Sequence, residues 1–291
     1  MTPLKAQDLN SITSSIDEVR ERRATLAAVQ EEEPEVVAYA ADGSAEQADV
    51  LSFDLVVGSS LTYDSNPARS DAGSRDSARF RQLLVGTLSA NLSPVVLSVE
   101  AGIVNDEYSK NTDNDLTLVP ITLKGAYGNQ DTGLSPYLSY APTMVFGDFL
   151  SAHLATVHDF GAGVVRRFDL DRNPAANDQW LALEANYTRR HATISELEEH
   201  RPYLKATYFR RLAPAFTFAF VPKLTRRMFT GGANKGRDDW NIEASANVEW
   251  RPRPEFRLQM TARFESNRSD AANADYKAWN IGPALNAVFS F

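Results

Sequence analysis

From Leu51 to Phe291 hydrophobic and polar positions alternate with a period of two, segment after segment. The clearest case is 239–250, where Trp240, Ile242, Ala244, Ala246, Val248 and Trp250 alternate with Asn241, Glu243, Ser245, Asn247 and Glu249. The next segment repeats it, with Phe256, Leu258, Met260, Ala262 and Phe264 set against Glu255, Arg257, Gln259, Thr261, Arg263 and Glu265. A period of two is the mark of a strand with one apolar face. Twelve such segments can be traced, with cores at 51–63, 79–92, 95–105, 117–127, 134–146, 154–168, 179–190, 202–211, 215–228, 239–250, 255–265 and 279–291. A soluble β-sandwich also alternates, but it rarely keeps so many charges on one face and so few on the other through consecutive strands.

The connections alternate as well. Connections two, four, eight and ten are short and turn-forming (Ser93-Pro94, GNQDTG, Leu212-Ala213-Pro214, RPRP), and connection six, LDRNPAAND, is somewhat longer. Connections one, three, seven, nine and eleven are long and polar, and the fifth, near Gly147-Asp148, is the short exception. Short turns at one end and longer loops at the other are what a transmembrane barrel requires. From Trp240 to Trp250 is ten residues, roughly 33 Å of strand at ~3.3 Å per residue, or about 25 Å along the membrane normal at the usual tilt, the height of the apolar band. The tryptophans then fall at opposite interfaces, with Tyr63, Phe80, Tyr187, Phe264 and Trp279 in one aromatic girdle and Tyr127, Phe216, Phe256, Phe289 and Phe291 in the other.

The last thirteen residues, WNIGPALNAVFSF, place Trp279, Ile281, Pro283, Leu285, Ala287, Phe289 and Phe291 on one face and stop on the aromatic. This segment resembles the closing strand of Gram-negative outer-membrane β-barrels. The resemblance implies that Phe289 and Phe291 form an assembly signal read by the barrel-assembly machinery, that the barrel is embedded in outer-membrane lipid, and that the location is the bacterial outer membrane. A helix followed by twelve strands also looks like the translocator of autotransporters, and LTYDSNP at the end of the first strand resembles openings of surface-export and polysaccharide-export barrels.

Residues 1–50 follow another rule. Leu9, Ile12, Ile16, Val19 and Leu26 recur at spacings of three and four, apart from a gap at Arg23, which predicts an amphipathic helix whose apolar stripe binds a partner. Ser15 with Glu18 has the form of a capping box. EEEPEVVAYAADGSAEQADV after it reads as an acidic linker. The expected organisation is therefore 1–50 as a periplasmic or lumenal helix and linker, and 51–291 as an all-β, twelve-stranded antiparallel transmembrane barrel. Such a helix would dock inside the barrel mouth or on a periplasmic or envelope protein.

Charge and composition narrow the function. The net charge of -8 is carried almost wholly by residues 1–50, where Lys5, Arg20, Arg22 and Arg23 face eleven acids, and the near-neutral remainder has no basic patch for nucleic acid. There are no cysteines and no run of apolar residues long enough for a transmembrane helix. MTPLKAQDLNSITSS lacks the basic start and apolar core of a secretory signal, so export implies a signal already removed. His191 with Glu196, Glu198 and Glu199 reads as a solvated loop, and the acids at 64, 113 and 115 lack the spacing of a calcium loop, so neither catalysis, metal nor cofactor is expected.

If the apolar set faces lipid, the lumen is lined by Glu100, Lys124, Asp159, Glu184, Arg190, Lys205, Lys223, Arg227, Glu243, Glu249, Arg257, Arg263 and Glu265. Such rows would select solutes by charge or form cross-strand ion pairs. The expected function is an outer-membrane channel for small polar solutes. The alternatives are a non-conducting anchor whose helix binds an envelope partner, and an export barrel for a polypeptide or glycan.

Overall fold

The computed structural model describes residues 12–20, 51–70, 76–110, 112–128, 133–171, 178–272 and 274–291. Twelve strands form a closed antiparallel barrel: β1 (Leu51–Asp64), β2 (Ser77–Leu92), β3 (Val95–Tyr108), β4 (Leu116–Tyr127), β5 (Leu134–Gly147), β6 (His153–Asp169), β7 (Gln179–Ala192), β8 (Glu199–Ala213), β9 (Phe216–Phe229), β10 (Asp238–Arg253), β11 (Phe256–Ser269) and β12 (Tyr276–Ser290). Each strand pairs with its neighbours in sequence, and β12 closes on β1 with Leu55 opposite Phe289 and Asp64 opposite Asn280. Closure follows from the outer surface: a strand facing hydrocarbon has no water to satisfy an open edge, so the edge must be abolished.

The faces are sorted as the alternation requires. On β10 Ile242 is 52% exposed while Glu243 beside it is only 6% exposed. Leu61, Leu84, Leu138, Phe160, Leu204, Met260 and Ile281 continue the exposed apolar belt around the barrel. Turns as short as two residues join β2 to β3, β8 to β9 and β10 to β11 at one end, and longer connections, among them 65–76 and 230–237, crown the other. With an even strand number, Leu51 and the C-terminal strand end both lie at the short-turn end, the periplasmic side of such barrels.

Two local features differ from the sequence reading. β8 begins at Glu199, three residues early, so Glu199 is a fully buried lumen residue and not part of a solvated loop with His191, Glu196 and Glu198. Its carboxylate is drawn inward by Arg190 and Arg227. Residues 12–20 form a helix, α1, so Ser15 stands inside it instead of capping it, and Glu18 binds Arg79 on the barrel wall. Leu9 and Leu26 lie outside the described residues.

An occupied lumen as the candidate functional site

Helix α1 sits inside the barrel. Ile12, Ile16 and Val19, spaced to share one face, are each at most 4% exposed and belong to one apolar cluster with Val85, Val104, Leu116, Leu118, Val145, Ala155 and Val157. These wall residues occupy lumen positions of β2–β6, so an apolar patch interrupts the charged lining where the helix rests. Burying three branched side chains is worth roughly 1.5–3 kcal/mol each, which a short helix in water, marginal by itself, would lack.

The opposite side of α1 is charged and every charge is met. Glu18 receives both terminal nitrogens of Arg79, at 2.5 and 2.7 Å, with Arg81 at 3.3 Å and Arg263 at 3.4 Å. Asp17 accepts from Arg201 at 2.7 Å and from Arg190 at 3.2 Å. Arg20 pairs with Asp159 and donates to the Ala141 carbonyl at 2.9 Å and the Thr143 hydroxyl at 3.0 Å. Burial alone would raise the Glu18 carboxyl, but the guanidinium groups of Arg79, Arg81 and Arg263 outweigh it and hold it well below the usual carboxylate range. The same contest, with Arg201 and Arg190 as the cations, holds Asp17 low.

Arg69, in the first long connection, reaches the helix. Arg69, with φ 49°, adopts a backbone conformation that costs a non-glycine residue about 1–3 kcal/mol. Its guanidinium is buried and donates to Asp64 at 2.9 Å, to Glu265 at 3.2 Å and to the Ser14 hydroxyl of α1 at 3.1 Å. The strain is repaid by charge-assisted hydrogen bonds that tie loop, wall and helix together.

The wall is itself an ion-pair network running across strands. Arg81 pairs with Asp106 at 2.5 Å, Arg190 with Asp159 at 2.8 Å and Glu199 at 3.1 Å, Arg227 with Glu199 at 2.8 Å, and Arg263 with Glu243 at 2.6 Å. Lys223 lies 3.5 Å from Glu243 and Lys205 2.5 Å from Glu184, whose carboxylate also accepts from Tyr203 at 2.6 Å. Glu249 accepts from Arg251 at 2.5 Å and Gln259 at 2.6 Å. Arg257 is buried at a lumen position; Glu100 and Lys124 are half-buried, with Lys124 4.7 Å from the centre of the Tyr137 ring. All thirteen residues expected on the lumen face stand at inward positions of their strands, with Asp159, Arg190, Lys223, Arg227, Glu243, Arg263 and Glu265 around the helix and Glu100, Lys124, Glu184, Lys205, Glu249 and Arg257 deeper. Phe289 faces outward on β12, and Phe291 exchanges backbone hydrogen bonds with Phe53 at the seam, 2.9 and 3.1 Å long.

Sequence reasoning missed Arg69 in the first connection, Arg79, Arg81, Arg201 and Asp106 on the wall, and Asp17, Glu18 and Arg20 on the helix. The signal was present for two of them, since Arg79 and Arg81 flank Phe80 at lumen parity. Among the described residues no group of three His, Asp or Glu side chains is arranged to hold a metal ion.

A closed barrel with an apolar belt outside and charged side chains within is a transmembrane β-barrel of the outer-membrane kind. No protein-family model matches the chain, and no curated protein matches it. Among solved structures it is similar to the translocator domain of autotransporter NalP from Neisseria meningitidis, at 11% identity, TM-score 0.46, over 95% of this chain and 97% of that one. The β domain of the Bordetella autotransporter BrkA aligns at 15% identity, TM-score 0.46, over 82% of this chain and 99% of that one. An anion-selective porin from Comamonas acidovorans aligns at 9% identity, TM-score 0.43, over 82% and 99%.

Proposed function

We propose that this protein is an export barrel of the translocator type, closed at rest by a polypeptide segment of its own chain, and not a passive channel for small solutes. The observation that carries the reading is the lodging of α1 in the outer half of the lumen, with its apolar stripe on β2–β6 and its carboxylates on five arginines of the wall. A solute channel needs a free path, and the charges that would line it are engaged with one another and with the helix. An anchor that recruits an envelope partner needs an accessible helix face, whereas Ile12, Ile16 and Val19 are buried. A lumen that accepts a helical segment by matched charge and shape is suited to holding and passing polypeptide.

Conductance across planar bilayers tests this. The intact chain should be silent for most of a recording, and the full-length double variant Asp17→Arg/Glu18→Arg should open steadily, because like charges then face the arginines. Steady open current from the intact chain, equal to that of the variant, would return the molecule to the solute-channel reading.

A further inference from the structure

Outside the barrel, β6, β7 and β8 carry a second arrangement that the occupied lumen does not use. Every carboxylate on these three strands stands at lumen parity, and their outward positions hold no Asp or Glu at all. Towards the long-loop end the outward positions are instead basic. His158 lies opposite His191, and Arg189 opposite His200, in register, so each pair has its Cβ atoms about 5 Å apart.

The cluster is built and aimed. Tyr140 hydroxyl and His158 Nδ1 are 2.9 Å apart, and the Tyr187 hydroxyl meets His200 Nδ1 in the same way. With the hydroxyl as donor, the proton of each neutral ring sits on Nε2, free to be given to an acceptor outside. Arg189 donates to the Thr230 hydroxyl at 2.8 Å, and among the described residues no carboxylate pairs with it. Glu198 stands 3.9 Å from His191 Nδ1.

Depth identifies the occupant. Phe160, Leu183, Tyr187 and Leu204 on the same strands are exposed members of the apolar belt. His191 and His200 stand four residues beyond Tyr187 and Leu204 towards the loops, about 10 Å higher along the normal at ~3.3 Å per residue and the usual tilt. That is the headgroup layer, where the molecules touching the wall are lipids.

We infer that the outer wall of β6–β8 is a binding site for the phosphorylated headgroup of a lipid in the outward-facing leaflet, held by Arg189 with His158, His191 and His200 while its acyl chains lie along Phe160, Tyr187 and Leu204. The site is independent of the proposed translocation, since its side chains point away from the lumen.

Native mass spectrometry of the full chain in detergent, titrated with diphosphoryl lipid A and with the same lipid after phosphate removal, tests the site. The intact chain should hold the phosphorylated lipid about tenfold more tightly than either the dephosphorylated lipid or the triple variant Arg189→Ala/His191→Ala/His200→Ala, the scale of one lost charge-assisted hydrogen bond. Lys277→Ala, an exposed cation on β12, should bind like the intact chain. A heat-shift gel confirms folding, and Arg189→Gln alone, with a smaller loss, serves if the triple variant does not fold. Equal affinity for both lipids, unchanged binding by the folded variants, an equal loss in Lys277→Ala, or displacement of the lipid by inorganic phosphate would each overturn the assignment.

Discussion

Glu18 shows how single side chains close this barrel. Two buried arginines, Arg79 and Arg81, are each about 1% exposed and share it, while Arg81 is also held by Asp106. Removing one partner of a buried pair leaves an uncompensated charge and costs about 3–5 kcal/mol. Glu18→Gln should therefore loosen α1 without unfolding the wall, whose strands pair independently of it. The expected readout is a rise in open probability with an unchanged heat-shift on gels. The sign of the pH dependence is also fixed. Because docking lowers the Glu18 carboxyl below its ordinary 4.5, the stabilisation from ionised Glu18 is complete above that value and is lost only as pH falls through the lower value of the docked state. Bilayer recordings of the intact chain should accordingly stay closed from pH 8 to about pH 5, with acid-induced opening confined to lower pH; opening between pH 7 and 6 would mean that another group controls the helix.

At the scale of elements, what could be read from the chain depended on whether one face alone was apolar. Strands β10–β12 alternate cleanly because their lumen sides are polar, and there the inside and outside residues follow directly from parity. In LTLVPITL of β4, Leu116 and Leu118 face inward and are as apolar as the outward set, because they receive α1. Alternation alone cannot announce a lumen that holds a helix. The helix was legible through Ile12, Ile16 and Val19, yet nothing local marks Asp17 and Glu18 as ion-pair partners, since only the three-dimensional wall brings Arg79, Arg190 and Arg201 to one place. Arg201 escaped because β8 starts before the proline at 202, and Arg69 because nothing local marks a loop residue that turns inward.

Two element-scale changes test the wall. Ala246→Arg places a charge on the lipid face near mid-membrane, opposite Phe220 and Ala262, and should cost ~2–4 kcal/mol in lipid refolding equilibria; Asn247→Ala on the lumen side loses only its hydrogen bond with Thr261, about 0.5–1.5 kcal/mol. Gly282 stands at the closing seam, where an added Cβ would fall 2.0 Å from the Leu61 carbonyl oxygen and 2.7 Å from Thr62 Cα. Backbone cannot yield as a side chain can, so Gly282→Ala should push β12 from β1 at a cost of at least ~1–3 kcal/mol. A lowered transition temperature in the heat-shift gel is the expected result.

For the molecule as a whole, the charges of wall and helix are complementary. In the outer half of the lumen Arg69, Arg79, Arg81, Arg190, Arg201, Lys223, Arg227 and Arg263 face Asp64, Asp106, Asp159, Glu199, Glu243 and Glu265, so the named cations exceed the carboxylates by two. Asp17 and Glu18 bring two negative charges to that wall, and Arg20 returns one positive charge to Asp159. Once the helix is displaced, the lumen keeps a positive excess in a confined, low-dielectric passage, where a ring of one sign selects the opposite ion. The open state of Asp17→Arg/Glu18→Arg should therefore favour anions, and adding Lys223→Glu and Arg227→Glu, which replaces two cations by two carboxylates, should move the reversal potential in a salt gradient towards cation selectivity. The same two changes also place like charges beside Glu199 and Glu243, so a heat-shift control belongs with the recording. An open pore whose reversal potential ignores the double replacement would show that ions pass somewhere other than between these strands.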